Sequence, residues 1–583
     1  MLKLKRAWAL SMAAGALAVG CSLFLDLDYA PCTSTEECRG RGGRFADTVC
    51  GAGGLCVAGQ TTSEPDADTP VVIPCTTNVE CRDKLGGVPA ACNRVDPETA
   101  FCAPLENERC KVFDEVVPQN WESNDAVVFG MFELGDEGRH RRVRAAALAF
   151  DEINRFGNGG LPSVADGKNR RPIVLVNCVY DESAVEADVD HLKNAGVQGI
   201  IGVGSSGPYN KLTSYSVPRK IFTIGTTGAS PEISTDQAGL SWRISPSAAH
   251  QATVLRDLAR ETEERVRADL SIEPAPTGKI KLSTLVVEGF GQALLNVFQA
   301  GFTFNEGNST ITSPEYLRYT VPDDVAGRIP SQEYKAAIDA IIAHQPHVIV
   351  VLAPSADFFE RLVVGRIESG WTASYRPEWL FNEYAVLGGV GASSYLNANP
   401  DVAARIRGIY PRSIHVGYDE FVDRYTQKFP TDSELDLQYP YDAAYVLAYA
   451  AYAGAPTKPF PTGIDISEGA RKLLPRGSVD VFRVGPIGER GNSDEILRAF
   501  GALRAGGINL EGVTNNLNFE AQIGELDIRE SNLQVFCFGH CLSETQVPRC
   551  TLPGADGGLG PLIFRESGRS YDGTKLTGTF DCP

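Results

Sequence analysis

The sequence predicts an α/β chain whose body is two lobes, each a doubly wound, largely parallel sheet, preceded by a disulfide-rich stalk. Three observations lead there. From about Asp125 onward, short apolar runs alternate with stretches of helical periodicity, the pattern of repeated βαβ units. The body, taken as 113–535, is longer than one hydrophobic core usually serves, so it should divide in two. Most of the 15 cysteines fall outside that body, before residue 111 or after residue 536, where short segments need cross-links in place of a core.

The chain opens on Lys3, Lys5 and Arg6, followed by an apolar run from Ala7 to Gly20. That run is shorter than the roughly 20 apolar residues of a membrane span and has the grammar of a secretory signal peptide. It ends Leu17-Ala18-Val19-Gly20-Cys21, which resembles the lipobox of bacterial lipoproteins, with Ala18 where that family more often has leucine. The resemblance implies a signal peptide over 1–20 and a lipid-modified Cys21 that anchors the chain to a membrane. Ser22, being other than aspartate, implies sorting to the outer membrane, with the protein in the cell envelope facing the periplasm.

Residues 21–112 read as a duplicated cysteine module. Cys32-Thr-Ser-Thr-Glu-Glu-Cys38 recurs as Cys75-Thr-Thr-Asn-Val-Glu-Cys81, and the copies continue through Cys50 and Cys56, and through Cys92 and Cys102. Export places these residues in an oxidising compartment, so disulfides are expected. The Cys-x5-Cys spacing does not fit the usual zinc pattern. Four cysteines allow three pairings per module, and spacing does not choose among them. A Thr/Pro/Asp-rich linker, 58–74, separates the copies. Cys110 and Cys178 are left to pair with each other. Cys537, Cys541, Cys550 and Cys582 form a separate group in a C-terminal extension, 536–583.

In the body, Ala126–Gly130 reads as the first strand and Arg141–Asn154 as a helix stopped by Asn158-Gly159-Gly160. Strands follow at Ile173–Val176, Gly199–Val203 and Arg219–Ile224, with a helix over Glu182–Asn194. A long helix is expected over Ala248–Arg267. Next come a strand at Leu282–Val287, helices over Gly291–Phe302 and Ala336–Ala343, a strand at Val348–Leu352, a helix over Ala356–Glu368 and a strand at Trp379–Phe381. The Pro- and Gly-containing stretch Ile272–Lys279 is the expected break between lobes. Ligands in such sheets bind beyond the carboxyl ends of the strands, so two lobes make a cleft there.

Five segments, in order, resemble the type I periplasmic binding proteins, in particular the leucine/isoleucine/valine-binding branch that serves ABC importers. They are Phe150-Asp-Glu-Ile-Asn154 with Gly159-Gly160, Ile201-Gly-Val-Gly-Ser-Ser206, Ile224–Ser234, Tyr441-Asp442-Ala443-Ala444, and Leu510–Thr514 with Asn518-Phe519 and Gly524–Asp527. The resemblance spans roughly 125–535. It implies a hinged two-lobed fold and a ligand site at Ser205, Ser206, Gly228 and Ser230 of the first lobe and Phe290 and Glu383 of the second. Serine hydroxyls and loop amides would hold a carboxylate, and Glu383 an ammonium. Three departures bear on the ligand. Ala229 stands where the family has threonine, Phe290 where it has tyrosine, and Ala353-Pro-Ser-Ala356 lacks a tyrosine common there. Ser205 and Ser206 have an equal claim as caps of the following helix.

Other chemistry is sparse. His344 and His347 leave a helix end without further ligands, so no metal is expected. The run Arg139, His140, Arg141, Arg142 reads as a solvated charge cluster. No nucleophile elbow, phosphate loop or dinucleotide fingerprint occurs, so the expectation is a non-enzymatic protein without cofactor. The net charge of −19 argues against a nucleic-acid partner. The leading reading is a monomeric, lipid-anchored solute-binding protein for ABC-type uptake, whose partners are a small solute and a permease. The alternative is an envelope sensor or regulator that uses the same fold to dock a protein.

Overall fold

The computed structural model describes residues 37, 48–50, 56–58 and most of 73–582. Within the latter it leaves out 116–119, 163–169, 229–238, 270–277, 323–331, 354–362, 383–393, 412–415, 433–436, 475–479, 487–493, 515–516, 523–524, 529–532, 541–561, 572–574 and a few single positions. Cys21, Cys32, Cys38, Cys541 and Cys550 lie outside the described residues. The chain forms two compact units, Met1–Val72 and Ile73–Pro583. In the first, a hairpin of Thr48–Cys50 and Cys56–Ala58 sets Cys50 directly opposite Cys56. No described helix is long and apolar enough to cross a membrane.

The second cysteine module belongs to the second unit. Its helix, Asn78–Lys84, is capped by Thr77, whose side chain accepts from the Glu80 amide. Its hairpin, Ala90–Asn93 with Phe101–Pro104, sets Cys92 opposite Cys102. Each of these bonds instead to an earlier cysteine, Cys75–Cys92 and Cys81–Cys102. The sulfurs of Cys75, Cys81 and Cys102 are close together, but all are in disulfides and offer no thiolate to a metal. Buried Asn78 joins module to body: its Nδ2 donates to the carbonyls of Trp121 and Ser123, and its Oδ1 accepts from the Cys92 amide. Asn93 Nδ2 donates to the Asn194 carbonyl at 2.9 Å. The stretch expected as stalk up to residue 112 is therefore part lobe: an amide network, which spacing does not reveal, ties this copy down.

Lobe one is a six-stranded sheet. Its strands are β1 (Cys110–Val112), β2 (Val127–Glu133), β3 (Ile173–Val179), β4 (Gly199–Ile201), β5 (Phe222–Gly225) and β6 (Ser241–Arg243), in the order β6-β5-β4-β2-β3-β1. All pairs are parallel except β1 with β3, which the Cys110–Cys178 disulfide bridges directly across the ladder. The helices α1 (Glu137–Phe156), α2 (Val185–Asn194) and α3 (Ser206–Ser216) connect these strands. Lobe two opens with α4 (Ala248–Ala268) and contains β7 (Leu282–Val287), α5 (Phe290–Gln299), β8 (Tyr316–Val321), α6 (Gln332–His344), β9 (Val348–Leu352), β10 (Glu378–Phe381) and β11 (Ile406–Pro411). The chain then returns to lobe one for α7 (Val416–Lys428), α8 (Gln438–Gly454), α9 (Gly463–Ala470) and α10 (Asp494–Ala505). It ends in lobe two with β12 (Leu533–His540), β13 (Leu562–Tyr571) and β14 (Leu576–Thr577). The second sheet runs β8-β7-β9-β10-β11-β12-β13-β14, parallel through β11 and antiparallel after it.

Burial explains the composition of these elements. β7 and β9 are buried at every position, as expected of parallel strands covered on both faces, and are rich in valine and leucine. Every residue of α8 from Gln438 to Ala453 is buried, which accounts for a helix apolar on all sides.

Two expected boundaries move. The lobe break expected at 272–279 lies earlier, between β6 and α4, because Ala252, Leu255 and Leu258 of α4 pack in one cluster with Leu282, Leu294 and Leu380 of lobe two. Helical periodicity says nothing about which sheet a helix covers. The extension expected at 536–583 begins inside β12. Strands β12 and β13 widen the lobe-two sheet, and Cys537–Cys582 ties the end of the chain to it. Of the helix expected over Ala356–Glu368, residues 354–362 are not described, and helix is present at Gly365–Gly370.

Candidate functional site

Both sheets contain a switch point, where the next two strands of the chain lie on opposite sides of one strand: β3 and β4 flank β2, and β8 and β9 flank β7. In lobe one it falls between β2 and β4, in lobe two between β7 and β9. The crossovers after β6 and after β11 leave from the carboxyl ends of those strands. The carboxyl edges of both sheets, where α/β folds bind ligands, thus lie on the side where the lobes join.

At the lobe-one switch point, α3 starts immediately beyond β4. Ser205 is its N-cap residue, with φ −132° and ψ 140°, yet its side chain makes no capping hydrogen bond. The first-turn amides are left uncapped by that hydroxyl at the positive end of the helix. Ser206 is the first helical residue, and both serines are half-buried.

The loops after β4 and β5 pass over two buried side chains. One is Tyr209 of α3, whose hydroxyl donates to the Trp242 carbonyl at 2.9 Å and whose ring lies against Gly202 and Gly225. The other is Arg142 of α1. Its Nε donates to Glu133 Oε2 at 2.7 Å and its Nη2 to Thr226 Oγ1 at 2.5 Å. Both members of this ion pair are almost completely buried, 5% and 2% exposed. The expected solvated arginine cluster is thus corrected at Arg142, since Glu133, at the carboxyl end of β2, neutralises it inside. A β-carbon at Gly204 would stand about 2.5 Å from Arg142 Nη2 and 2.7 Å from Thr227 Oγ1. Only glycine lets the loop pass this close. Thr227 Oγ1 donates to the Gly204 carbonyl at 2.6 Å, joining the two loops. Gly228 is buried, and its carbonyl accepts from Ser245 Oγ at 3.1 Å, a residue of the first crossover.

At the lobe-two switch point, Phe290 and Gly291 open α5 directly after β7. A β-carbon at Gly291 would collide with the Leu352 carbonyl at the end of β9, so glycine sets how closely helix and strand approach. The loops after β9 and β10 are zipped by Asn382, which donates from Nδ2 to the Ala353 carbonyl and accepts on Oδ1 from the Ala353 amide, each at 3.1 Å. Ser230 and Glu383 lie outside the described residues, as does the side chain of Phe290. Ser205, Ser206 and Gly228 come together at one mouth, and the backbone of Phe290 lies at the other.

Three of the five resemblance segments meet elsewhere, inside lobe one. Glu152 accepts from Arg424 Nε at 2.9 Å and from the hydroxyls of Tyr441 and Tyr445. Burial raises its pKa, although the Arg424 charge pulls it down. Asp442, next to Tyr441, accepts from the amides of Val513 and Thr514, each at 2.9 Å, and from the Thr514 hydroxyl. These residues staple α1, α7, α8 and the closing segment to one another. The two histidines are structural as well. His344 Nε2 lies 3.1 Å from the Glu315 carbonyl, and His347 Nδ1 accepts from the Lys281 amide at 3.0 Å.

No family model matches the sequence, and no curated protein matches it. Among solved structures, the chain is similar to a leucine-binding protein from Thermotoga maritima, at 12% identity and a TM-score of 0.47, over 75% of this chain and 99% of the other. It is similar to a branched-chain amino acid transporter substrate-binding protein from Streptococcus pneumoniae in complex with isoleucine, at 14% identity and 0.47, over 76% and 99%. It is also similar to an ABC transporter solute-binding protein from R. palustris in complex with benzoate, at 12% identity and 0.45, over 78% and 99%.

Proposed function

We propose that the chain is a lipid-anchored, extracytoplasmic solute-binding protein that closes its two lobes around a small polar solute carrying a carboxylate, and hands it to an ABC permease without catalysing a reaction. The observation that carries this reading is the mouth of lobe one, where two loops braced from below present Ser205, Ser206 and Gly228 at a helix start that the Ser205 side chain does not cap. A helix start of this kind suits an anion. Glu383 would hold an ammonium if the solute is an amino acid. Cys21 would carry the acyl anchor. A second reading, an envelope regulator that docks a protein, is favoured by Ser22, since an importer's permease lies in the inner membrane.

The test is thermal unfolding of the chain carrying Cys21→Ser, which keeps it unacylated, against amino acids, short peptides, organic anions and sugars. A solute at about 100 times its dissociation constant stabilises by about 2.7 kcal/mol, a shift of several degrees. A carboxylate-bearing solute should give that shift, and Glu383→Ala should abolish it for an amine-bearing one. If no solute shifts the transition, the protein-docking reading takes its place.

A further inference from the structure

We infer that Arg142 is a positioning residue: with Glu133 and Thr226 it sets the two lobe-one loops at the spacing a solute meets, and through Ser245 that spacing is tied to the first crossover between lobes. This rests on the reading of 202–206 and 226–228 as the solute-facing loops, but the brace itself is a property of the empty protein.

An arginine–glutamate pair almost completely removed from water gains little net stability, because desolvating two charges offsets their attraction, and an apolar pair in the same volume serves stability as well. A buried pair is better suited to fixing geometry. Here each guanidinium edge has a separate task. Nε holds Glu133 at the end of β2, and Glu133 Oε1 in turn accepts from the Leu134 amide at 3.1 Å. Nη2 holds Thr226 beyond β5. The same end of the guanidinium leaves no room for a β-carbon at Gly204 beyond β4. One planar cation therefore sets the carboxyl ends of three strands relative to one another, which lysine, a single ammonium on a flexible stem, cannot do. Above it, the Thr227 hydroxyl closes on the Gly204 carbonyl, and Ser245 reaches the Gly228 carbonyl from the crossover. A solute that moves either loop pulls on a residue of the hinge.

The experiment is hydrogen exchange on the unacylated chain, with Thr226→Val and Thr226→Ser compared to the parent. Valine keeps the volume and loses the hydroxyl, whereas serine does the reverse. The brace predicts that valine raises exchange about tenfold or more over 202–206 and 226–228 while the rest of lobe one is unchanged, and that serine restores protection. Arg142→Lys should resemble valine, and Ser245→Ala should loosen 226–228 alone. Thermal shifts with L-leucine, L-isoleucine and benzoate are measured on the same proteins. If serine loosens the loops and valine does not, packing rather than the hydrogen bond holds them and the inference is overturned, whether or not a solute binds. Unchanged exchange in all four variants overturns it equally. If the valine pattern appears and none of the three probes shifts the parent, the brace stands and the proposed function loses support.

Discussion

Replacing Asp442 by asparagine should flatten the dependence of stability on pH between about pH 4 and pH 7. Asp442 is wholly buried, with three donors on its two oxygens. Burial pushes its pKa up to about 7 against the pull of those donors, from 3.8 for an unperturbed aspartate. Over that window the folded chain holds a proton that the unfolded chain has released. Stability therefore falls as pH rises: the contribution is fully present below about pH 4 and lost by about pH 7. Roughly three decades of proton affinity, at about 1.4 kcal/mol each, amount to about 4 kcal/mol. Asparagine has no charge to bury. It keeps one accepting oxygen but turns an amide group toward a donor, which costs about 1–3 kcal/mol. The variant should be no more stable than the parent at pH 4.5, should overtake it by about pH 6 and should be the more stable protein at neutrality. Scanning calorimetry of both proteins at pH steps from 4.5 to 7.5 reads this directly. Parallel curves would refute the reasoning, and would mean that the three donors hold Asp442 ionised throughout.

Glu152→Ala leaves the Arg424 cation and the hydroxyls of Tyr441 and Tyr445 without their shared acceptor, and should cost about 3–5 kcal/mol in urea unfolding. Adding Arg424→Met should recover part of that loss. Gly469→Ala would press a methyl group onto the Ala450 carbonyl where α9 crosses α8, and should lower stability by about 1–3 kcal/mol without altering solute affinity. In the first cysteine module, the opposed pair Cys50 and Cys56 repeats the geometry of Cys92 and Cys102, so peptide mapping under non-reducing conditions should recover Cys32–Cys50 and Cys38–Cys56.

Much of the fold is legible because parallel strands buried on both faces read as short runs rich in valine and leucine. Leu282–Val287 and Val348–Leu352 are expected and observed with the same ends. What was not legible depends on partners far away in sequence. α4 reads as a helix in either lobe, and only its packing with Leu282 and Leu294 assigns it to the second. Strands β6 and β8 are short or half-exposed and carry weak apolar patterns, and neither was expected. The resemblance segments are legible as short motifs that follow one another in a fixed order along the chain. Within them Glu152, Tyr441 and Asp442 join α1, α7, α8 and the closing segment, which no single segment reveals. Arg142 was the opposite case: in a run of basic residues at a helix start it looks solvated, and its burial follows from Glu133, nine residues earlier at the end of a strand, and from the absence of a side chain at Gly204.

Small-angle X-ray scattering of the unacylated chain, without and with a saturating solute that passes the thermal screen, tests the central claim most directly. Capture between the lobes predicts a smaller radius of gyration with solute, through a rigid-body closure that leaves each lobe's own structure unchanged. A solute that stabilises the protein while the radius stays the same would place binding outside the cleft and contradict the account.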